Sequence, residues 1–177
     1  MESYAAGELE PALLEETIGA NFERTVAAHA DGEALVEMAS GRRWTWAELD
    51  RDVDALARGL IAAGVDKGHR VGIWAPNCAE WTLTQYACAK VGAVLVNVNP
   101  SYRTHEFAYA VNQSGLRLLL AASAFKTSDY RAMVEEVVET TGHGFPSEVR
   151  SRAGRRHRKG ARPGNERNRA RSRGTIA

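Results

Sequence analysis

The chain has 177 residues, of which 44% are hydrophobic, and its 23 lysine and arginine residues nearly balance its 22 aspartate and glutamate residues. This size and composition are typical of one globular domain. No run approaches the roughly 20 consecutive apolar residues of a membrane-spanning helix, and the first residues lack the basic and apolar regions of a signal peptide. We therefore expect a cytoplasmic protein without a membrane span.

The near-zero net charge conceals two segments of opposite charge. Residues 1–142 hold 12 basic and 20 acidic residues, a net charge of −8, whereas residues 143–177 hold 11 and 2, a net charge of +9. The second segment is rich in Arg, Gly, Ala and Pro and cannot bury enough apolar surface to offset the entropy lost on ordering. We therefore expect a flexible acidic arm at residues 1–13, an ordered part at 14–141 and a disordered basic tail at 142–177.

The first predicted elements are a helix and a β-hairpin. Apolar residues from Ile18 to Ala27 recur on one helical face, which predicts a helix ending near His29. A short apolar strand at residues 33–39, a Ser-Gly turn and a returning segment at 42–45 predict the hairpin.

A second helix follows directly. Thr45 and Glu48 have the spacing of a capping box, in which each side chain accepts from the other residue's backbone N–H. Apolar residues then recur at helical spacing, and Gly64 suits the left-handed position that ends a helix.

Strands and helices alternate in the rest of the ordered part. Apolar strands are predicted at residues 70–75, 93–98 and 117–121, with the second halted by Asn99-Pro100. The intervening helices are predicted at residues 79 to about 91 with Asn77 as the cap, from a Thr104 cap to Gly115, and from Thr127 or Ser128 onward. This order favours an α/β fold: a mostly parallel sheet covered by helices on both faces, joined by right-handed crossovers and preceded by the hairpin.

Residues with catalytic or metal-binding chemistry show no recognisable motif. The sequence holds no G-x-x-x-x-G-K-[ST], no G-x-G-x-x-G after the first apolar strand and no G-x-S-x-G, and its five histidines lack ligand spacing. Three aspartates on the second helix fit a solvated face better than a metal cluster: Asp50, Asp52 and Asp54. The cysteines, Cys78 and Cys88, are interpreted as small buried apolar groups. The tryptophans are interpreted as packing residues, with a substrate wall as the minority alternative: Trp44, Trp46, Trp74 and Trp81.

A series of short segments carries a resemblance to a known family. The segments are Trp46-Ala47-Glu48-Leu49, Gly68-His69-Arg70-Val71-Gly72-Ile73, Pro76-Asn77, Glu80-Trp81, Ala89-Lys90-Val91-Gly92-Ala93, Asn97-Val98-Asn99-Pro100, Tyr102-Arg103 and Gln113-Ser114-Gly115. In order and spacing they resemble the start of an AMP-forming acyl-CoA synthetase of the adenylating superfamily, with the fatty-acyl-CoA ligase branch most similar. The resemblance covers roughly residues 14–140. His69 departs from the aspartate that the family usually has there.

The resemblance implies a two-step, ATP-dependent reaction. A carboxylate such as a fatty acid attacks the α-phosphate of Mg-ATP and releases pyrophosphate, and the thiol of coenzyme A then displaces AMP. In the family the phosphates are held by a Thr/Ser/Gly-rich loop ending in Pro-Lys-Gly, by later acidic and aromatic motifs and by a lysine of a C-terminal domain, none of which occurs in these 177 residues. We therefore expect a truncated, partial N-terminal domain that binds no ATP, Mg²⁺ or CoA and is inactive and poorly soluble alone. The matched segments are turns and packing contacts, so we assign no catalytic, cofactor-binding or metal-binding residue and no oligomeric state.

The basic tail allows different interpretations. Its Arg, Gly, Ala and Pro content is that of GC-rich DNA translated out of frame, so our leading hypothesis is that a frameshift or misplaced gene end after about Val138 replaced the rest of the enzyme. The alternative is a nucleic-acid-binding arm at residues 150–173 that neutralises phosphates. A third possibility is that the ordered part is an interaction module.

Overall fold

The computed structural model of the chain describes Gly7 and residues 13–142. The flexible arm expected at residues 1–13 and the disordered tail expected at 142–177 lie almost wholly outside the described residues.

Five helices and seven strands make up the described part of the chain. The helices are α1 (Ile18–His29), α2 (Trp46–Ala62), α3 (Ala79–Val91), α4 (Thr104–Ser114) and α5 (Tyr130–Thr141). The strands are β1 (Glu33–Glu37), β2 (Arg42–Thr45), β3 (Arg70–Trp74), β4 (Val94–Val98), β5 (Leu118–Ala121), β6 (Ala124–Phe125) and β7 (Ser128–Asp129). None of these helices is long and apolar enough to cross a membrane.

The sheet architecture confirms the predicted α/β fold. Strands β1 and β2 form the antiparallel N-terminal hairpin. Strands β3, β4 and β5 form a parallel sheet in the order β4-β3-β5, in which Val71 lies opposite Leu95 on one side and Leu118 on the other.

The two faces of this sheet bury separate apolar cores. On the first face, Val71 and Leu118 pack with side chains of α1, α2 and α3, including Phe22 and Leu49. On the second face, the buried residues belong mostly to β3, β4, α4 and α5: Trp74, Val98, Phe107, Val111, Leu116, Tyr130, Met133 and Val137. Helices α3 and α4 therefore cover opposite faces, which determines where a ligand cleft can open.

Local sequence signals account for several helix ends. The capping box at α2 is present as predicted, because the Glu48 carboxylate accepts from Thr45 N at 2.9 Å and Thr45 Oγ1 accepts from Glu48 N at 3.2 Å. Gly64 and Gly115 have positive φ angles of 80° and 60°, so each follows its helix in the left-handed conformation that glycine tolerates.

Two predicted helix starts and one predicted helix cap were wrong, whereas α3 begins at Ala79 as predicted. The last helix begins at Tyr130, not at Thr127 or Ser128, because the segment before it pairs as the β6–β7 hairpin and Asp129 caps the helix through Ala132 N at 3.1 Å. Helix α4 begins at Thr104 itself, and the Glu106 carboxylate accepts from Arg103 N at 3.1 Å. Residue Asn77 does not cap α3, whose first N–H is satisfied from the β-hairpin instead.

Candidate functional site

A shallow, open cleft of about 380 Å³ lies at the carboxyl ends of β3 and β4. The chain leaves β3 toward α3 on the first face of the sheet and leaves β4 toward α4 on the second face. The two connections diverge, and ligands of open α/β sheets bind outside the carboxyl ends of the strands. Seven residues line it: Ala75, Asn77, Trp81, Asn97, Val98, Asn99 and Pro100.

The wall that follows β3 is held by one indole. Trp81 Nε1 donates to the carbonyl oxygens of Ala75 and Pro76, at 3.2 and 3.0 Å. Since Trp81 belongs to the first turn of α3, these contacts tie the end of β3 to the helix that follows it. The half-buried indole thereby becomes part of the cleft wall.

The wall that follows β4 rests on a stack of three aromatic rings. Trp74 is fully buried and lies between the rings of Phe107 and Tyr130. The distances between ring centroids are 4.2 Å to Phe107 and 3.9 Å to Tyr130, and the interplanar angles are 9° and 12°. Its Nε1 donates to the carbonyl oxygen of Asn99 at 3.0 Å, and the Tyr130 hydroxyl donates to the carbonyl oxygen of Pro100. Burial raises the pKa of Tyr130 above its ordinary value, so the phenol stays protonated as a donor at neutral pH. Two buried aromatic side chains therefore fix the Asn99-Pro100 turn.

The polar groups of the cleft are the carboxamides of three asparagines. Asn77, Asn97 and Asn99 are all exposed. The Asn99 side-chain oxygen accepts from Ser101 N at 2.9 Å, whereas the amides of Asn77 and Asn97 have no partner within the described part of the chain. None of the seven lining residues is charged or nucleophilic, so the cleft offers hydrogen bonding to a ligand and no acid–base chemistry of its own.

The β-hairpin supplies the cap that Asn77 does not. Glu37 Oε1 accepts from the backbone N–H of Ala79 at 2.9 Å, and Glu37 Oε2 accepts from the Ser40 hydroxyl. These two hydrogen bonds, that from Ser40 first, lower the pKa of Glu37 below its ordinary value. A carboxylate at a helix N-terminus also interacts favourably with the helix dipole.

The aspartates of α2 are exposed or partly exposed, as a solvated face requires, but two of them also make an ion pair that the sequence did not predict. Lys90 Nζ lies 2.7 Å from Asp50 and 2.6 Å from Asp54, and the Lys90 side chain is only 12% exposed. Asp52 accepts from Trp44 Nε1 at 2.9 Å. Asp50 and Asp54 therefore join α2 to α3 through Lys90, whereas Asp52 joins α2 to β2 through Trp44.

The cysteines lack the properties of nucleophiles. Cys88 is buried as predicted, and Cys78 is half-buried. Burial, the main cause at both thiols, raises each pKa to about 11, so both are protonated at neutral pH. Within residues 13–142, no three His, Cys, Asp or Glu side chains are grouped so that they could hold a metal ion.

Sequence reasoning named no site residue and missed the cleft. Trp74 is a packing residue as interpreted, whereas Trp81 both packs and lines the cleft. One signal was available: Asn97 interrupts the β-branched run of β4, although asparagine is depleted in strands. The order of the strands, which brings Asn77 beside Asn97, was not available from the sequence.

Comparison with known proteins gives a consistent result. Residues 22–170 match the family described as AMP-binding enzyme. The mitochondrial medium-chain acyl-CoA ligase ACSF2 of Macaca fascicularis is 35% identical over 149 residues, which are 84% of this chain and 24% of that protein. The protein YngI of Bacillus subtilis (strain 168) is 35% identical over 139 residues, which are 78% of this chain and 25% of that protein.

The fold is similar to solved structures as well. A fatty acyl CoA synthetase of Mycobacterium tuberculosis superposes with a TM-score of 0.60 at 25% identity, covering 74% of this chain and 25% of that one. The chain thus spans about a quarter of the length of the relatives that it matches.

Proposed function

The chain belongs to the AMP-binding enzyme family, and from that premise we propose that residues 14–142 are the opening part of the N-terminal domain of an ATP-dependent fatty-acyl-CoA ligase. The observation that carries this proposal is the 35% identity over 149 residues to a medium-chain acyl-CoA ligase. The parallel sheet with helices on both faces supports it, since the same arrangement recurs in a fatty acyl CoA synthetase.

The reaction of the whole enzyme would form an acyl thioester. A fatty acid carboxylate oxygen bonds to the α-phosphorus of ATP while pyrophosphate leaves, and the sulfur of CoA then bonds to the acyl carbon while AMP leaves. Both steps bring negative charges together, so they need cations and oriented donors around the phosphates.

The described residues do not fit that requirement. The walls of the cleft carry three carboxamides and no cation, and the described residues offer no grouping of carboxylates for Mg²⁺. We therefore assign residues 14–142 a structural role in the ligase, and the 177-residue polypeptide is inactive when made alone.

A pyrophosphate-release assay tests the inactivity. The purified chain is incubated with ATP, Mg²⁺, CoA and a panel of medium- and long-chain fatty acids, with a complete ligase as the positive control. The expected rate equals that of the no-enzyme control. Turnover above that control would contradict the proposal.

A chimera tests the assignment to a ligase. Residues 22–138 of this chain replace the matching stretch of the Mycobacterium tuberculosis synthetase, and acyl-CoA formation is measured. We expect activity to be retained, because this segment supplies packing surfaces rather than reacting groups. A chimera that folds, with a cooperative thermal transition, and yet makes no acyl-CoA would count against the assignment.

The charge of residues 143–177 favours a second candidate function. This segment carries a net charge of +9, and a basic arm binds nucleic acid by neutralising phosphates. RNA binding by residues 1–177 and by residues 1–142 is compared across a salt titration. Tighter, salt-sensitive binding by the longer chain supports this function, and equal negligible binding by both removes it.

The origin of the same segment is a separate question. The family match extends to residue 170, beyond the point near Thr141 where the resemblance was expected to end. Our frameshift hypothesis requires that the gene, read in one of the two other frames after codon 138, encodes a Thr/Ser/Gly-rich loop ending in Pro-Lys-Gly. If neither frame encodes it, the hypothesis fails.

A further inference from the structure

Two carboxamides of the cleft, those of Asn77 and Asn97, make no hydrogen bond within the described residues. Throughout the described residues, no buried side-chain nitrogen or oxygen lacks a hydrogen bond. Asn77 and Asn97 are exposed, so their amide groups are accessible to a ligand at the cleft. Asn97 also has a cost, since it stands within β4, where valine occupies alternate positions and asparagine is disfavoured. A local rule broken in this way is typical of a functional position.

The surroundings of these amides are rigid. The indole of Trp81 holds the end of β3, and the donors of Trp74 and Tyr130 hold the Asn99-Pro100 turn. Backbone that is fixed by buried donors does not have to be ordered when a ligand binds, so little entropy is lost there. The cleft is therefore preorganised between its two walls.

The lining selects a class of ligand. It contains no charged side chain, so it gives neither an anion nor a cation a partner to offset desolvation. Each carboxamide offers donors and an acceptor side by side, and Trp81, Val98 and Pro100 provide apolar surface. These groups complement a flat, uncharged molecule with an adjacent donor and acceptor.

We propose that this cleft, formed by Ala75, Asn77, Trp81 and residues 97–100, is a binding site for a neutral planar ligand such as an aromatic carboxamide or a nucleobase. Asn77 and Asn97 pair with the donor and acceptor of the ligand, and Trp81 contacts its ring. The site lies within the described residues and does not depend on the ligase reaction proposed above.

A titration of the whole chain tests this site. The ¹⁵N-labelled protein is titrated with nicotinamide while the side-chain NH₂ signals of Asn77 and Asn97 and the Trp81 indole N–H are followed by NMR. We expect saturable shifts at these three groups. Nicotinate, the anion of matching shape, is expected to bind at least about 5-fold more weakly, the size of one lost hydrogen bond.

Substitutions complete the test. Asn97→Ala and Asn77→Ala each lower the nicotinamide affinity about 5-fold, and Asn112→Ala, a change of an exposed asparagine on α4, leaves it unchanged. The dispersion of the amide spectrum shows that each variant is folded, and the two cleft variants report independently. Linear, non-saturating shifts, equal affinity for nicotinate, or undiminished affinity in both cleft variants would overturn the proposal.

Discussion

Glu37 Oε1 accepts a 2.9 Å hydrogen bond from the backbone N–H of Ala79 and thereby caps a helix 42 residues further along the chain. The neighbouring N-cap residue, Cys78, makes no side-chain capping bond. Helix formation by itself leaves the first N–H groups of a helix without a partner. The hydrogen bond from Ala79 to Glu37 therefore caps α3 and also holds the hairpin against it.

Removing this carboxylate will destabilise the protein. We expect Glu37→Ala to lower the free energy of unfolding by about 1 kcal/mol, the usual value of a helix N-cap. Urea unfolding measures the effect, and Glu139→Ala, a change of an exposed residue on α5, serves as the control with an expected change within about 0.5 kcal/mol.

The capping role of Glu37 also predicts how the effect of Glu37→Ala on the free energy of unfolding depends on pH. The pKa of Glu37 is lowered in the folded protein from an ordinary value of 4.5, so the ionised carboxylate contributes its full stabilisation above that value. The contribution is lost as the pH falls through the folded-state pKa. The difference between wild type and Glu37→Ala should therefore shrink at acidic pH, and a difference that grows there would contradict the capping role.

Lys90 should be the cation on which the α2–α3 contact depends. Burial acts to lower its pKa, but the hydrogen bonds that the ammonium donates to Asp50 and Asp54 outweigh burial and raise the pKa above its ordinary value. The ammonium group therefore stabilises the fold at all pH values below its unfolded pKa and loses this effect only in strongly alkaline solution.

We expect Lys90→Met to lower the free energy of unfolding by about 2 kcal/mol at neutral pH, because it leaves two neighbouring, half-buried carboxylates without their donor. The matched control is Arg58→Met, which removes an exposed partner 3.9 Å from Asp54 and should cost at most about 1 kcal/mol. Urea unfolding at pH 7 measures the change in the free energy of unfolding for both variants. If both variants lower the free energy of unfolding equally, the Lys90 ion pairs stabilise the protein no more than an exposed ion pair does.

The hydroxyl of Tyr130 should stabilise the Asn99-Pro100 turn. We expect Tyr130→Phe to keep the ring stacked on Trp74 and to lower the free energy of unfolding by about 1 kcal/mol, since the carbonyl of Pro100 loses its donor. Tyr109→Phe removes a hydroxyl from a side chain that is 63% exposed and should have no measurable effect. Thermal unfolding of both variants gives the comparison, and a similar small change in both would remove the role assigned to this hydroxyl.

The turn between β6 and β7 contains the strained residue Lys126. Its φ of 52° makes it the one residue other than glycine with positive φ among the described residues. We expect Lys126→Gly to raise the free energy of unfolding by about 0.5 kcal/mol, because glycine avoids the steric cost of this conformation, and Lys126→Val to lower it. Lys67→Gly, in a turn without positive φ, should instead be destabilising. The same sign for both glycine substitutions would refute the strain argument.

Much of the fold was predictable because its signals are local. The capping box of Thr45 and Glu48 lies within four consecutive residues, and the β-branched run of β4 ends before a proline that cannot continue the ladder. The alternation of apolar strands and helices then determined a parallel sheet covered on both faces, as the two cores confirm.

The missed features depend on distant partners. Strands β6 and β7 are two residues each and have no glycine at their turn, so nothing in the sequence distinguished them from the start of a helix. The pairing of Lys90 with Asp50 and Asp54 joins residues 40 and 36 positions apart. Asn77 and Asn97 come together only because β4 lies beside β3 in the sheet.

The aromatic stack on the second face has a consequence for how the protein forms during synthesis. Its central ring, Trp74, comes from β3, whereas the rings on either side come from α4 and α5. A ribosome releases these segments in that order, so the indole of Trp74 stays partly open to water until Tyr130 has emerged and docked. The helices of the first face, α1, α2 and α3, emerge earlier, but Leu118 of β5 completes that core only after α4, so α5 is the last element needed to cover the remaining apolar surface of the second face.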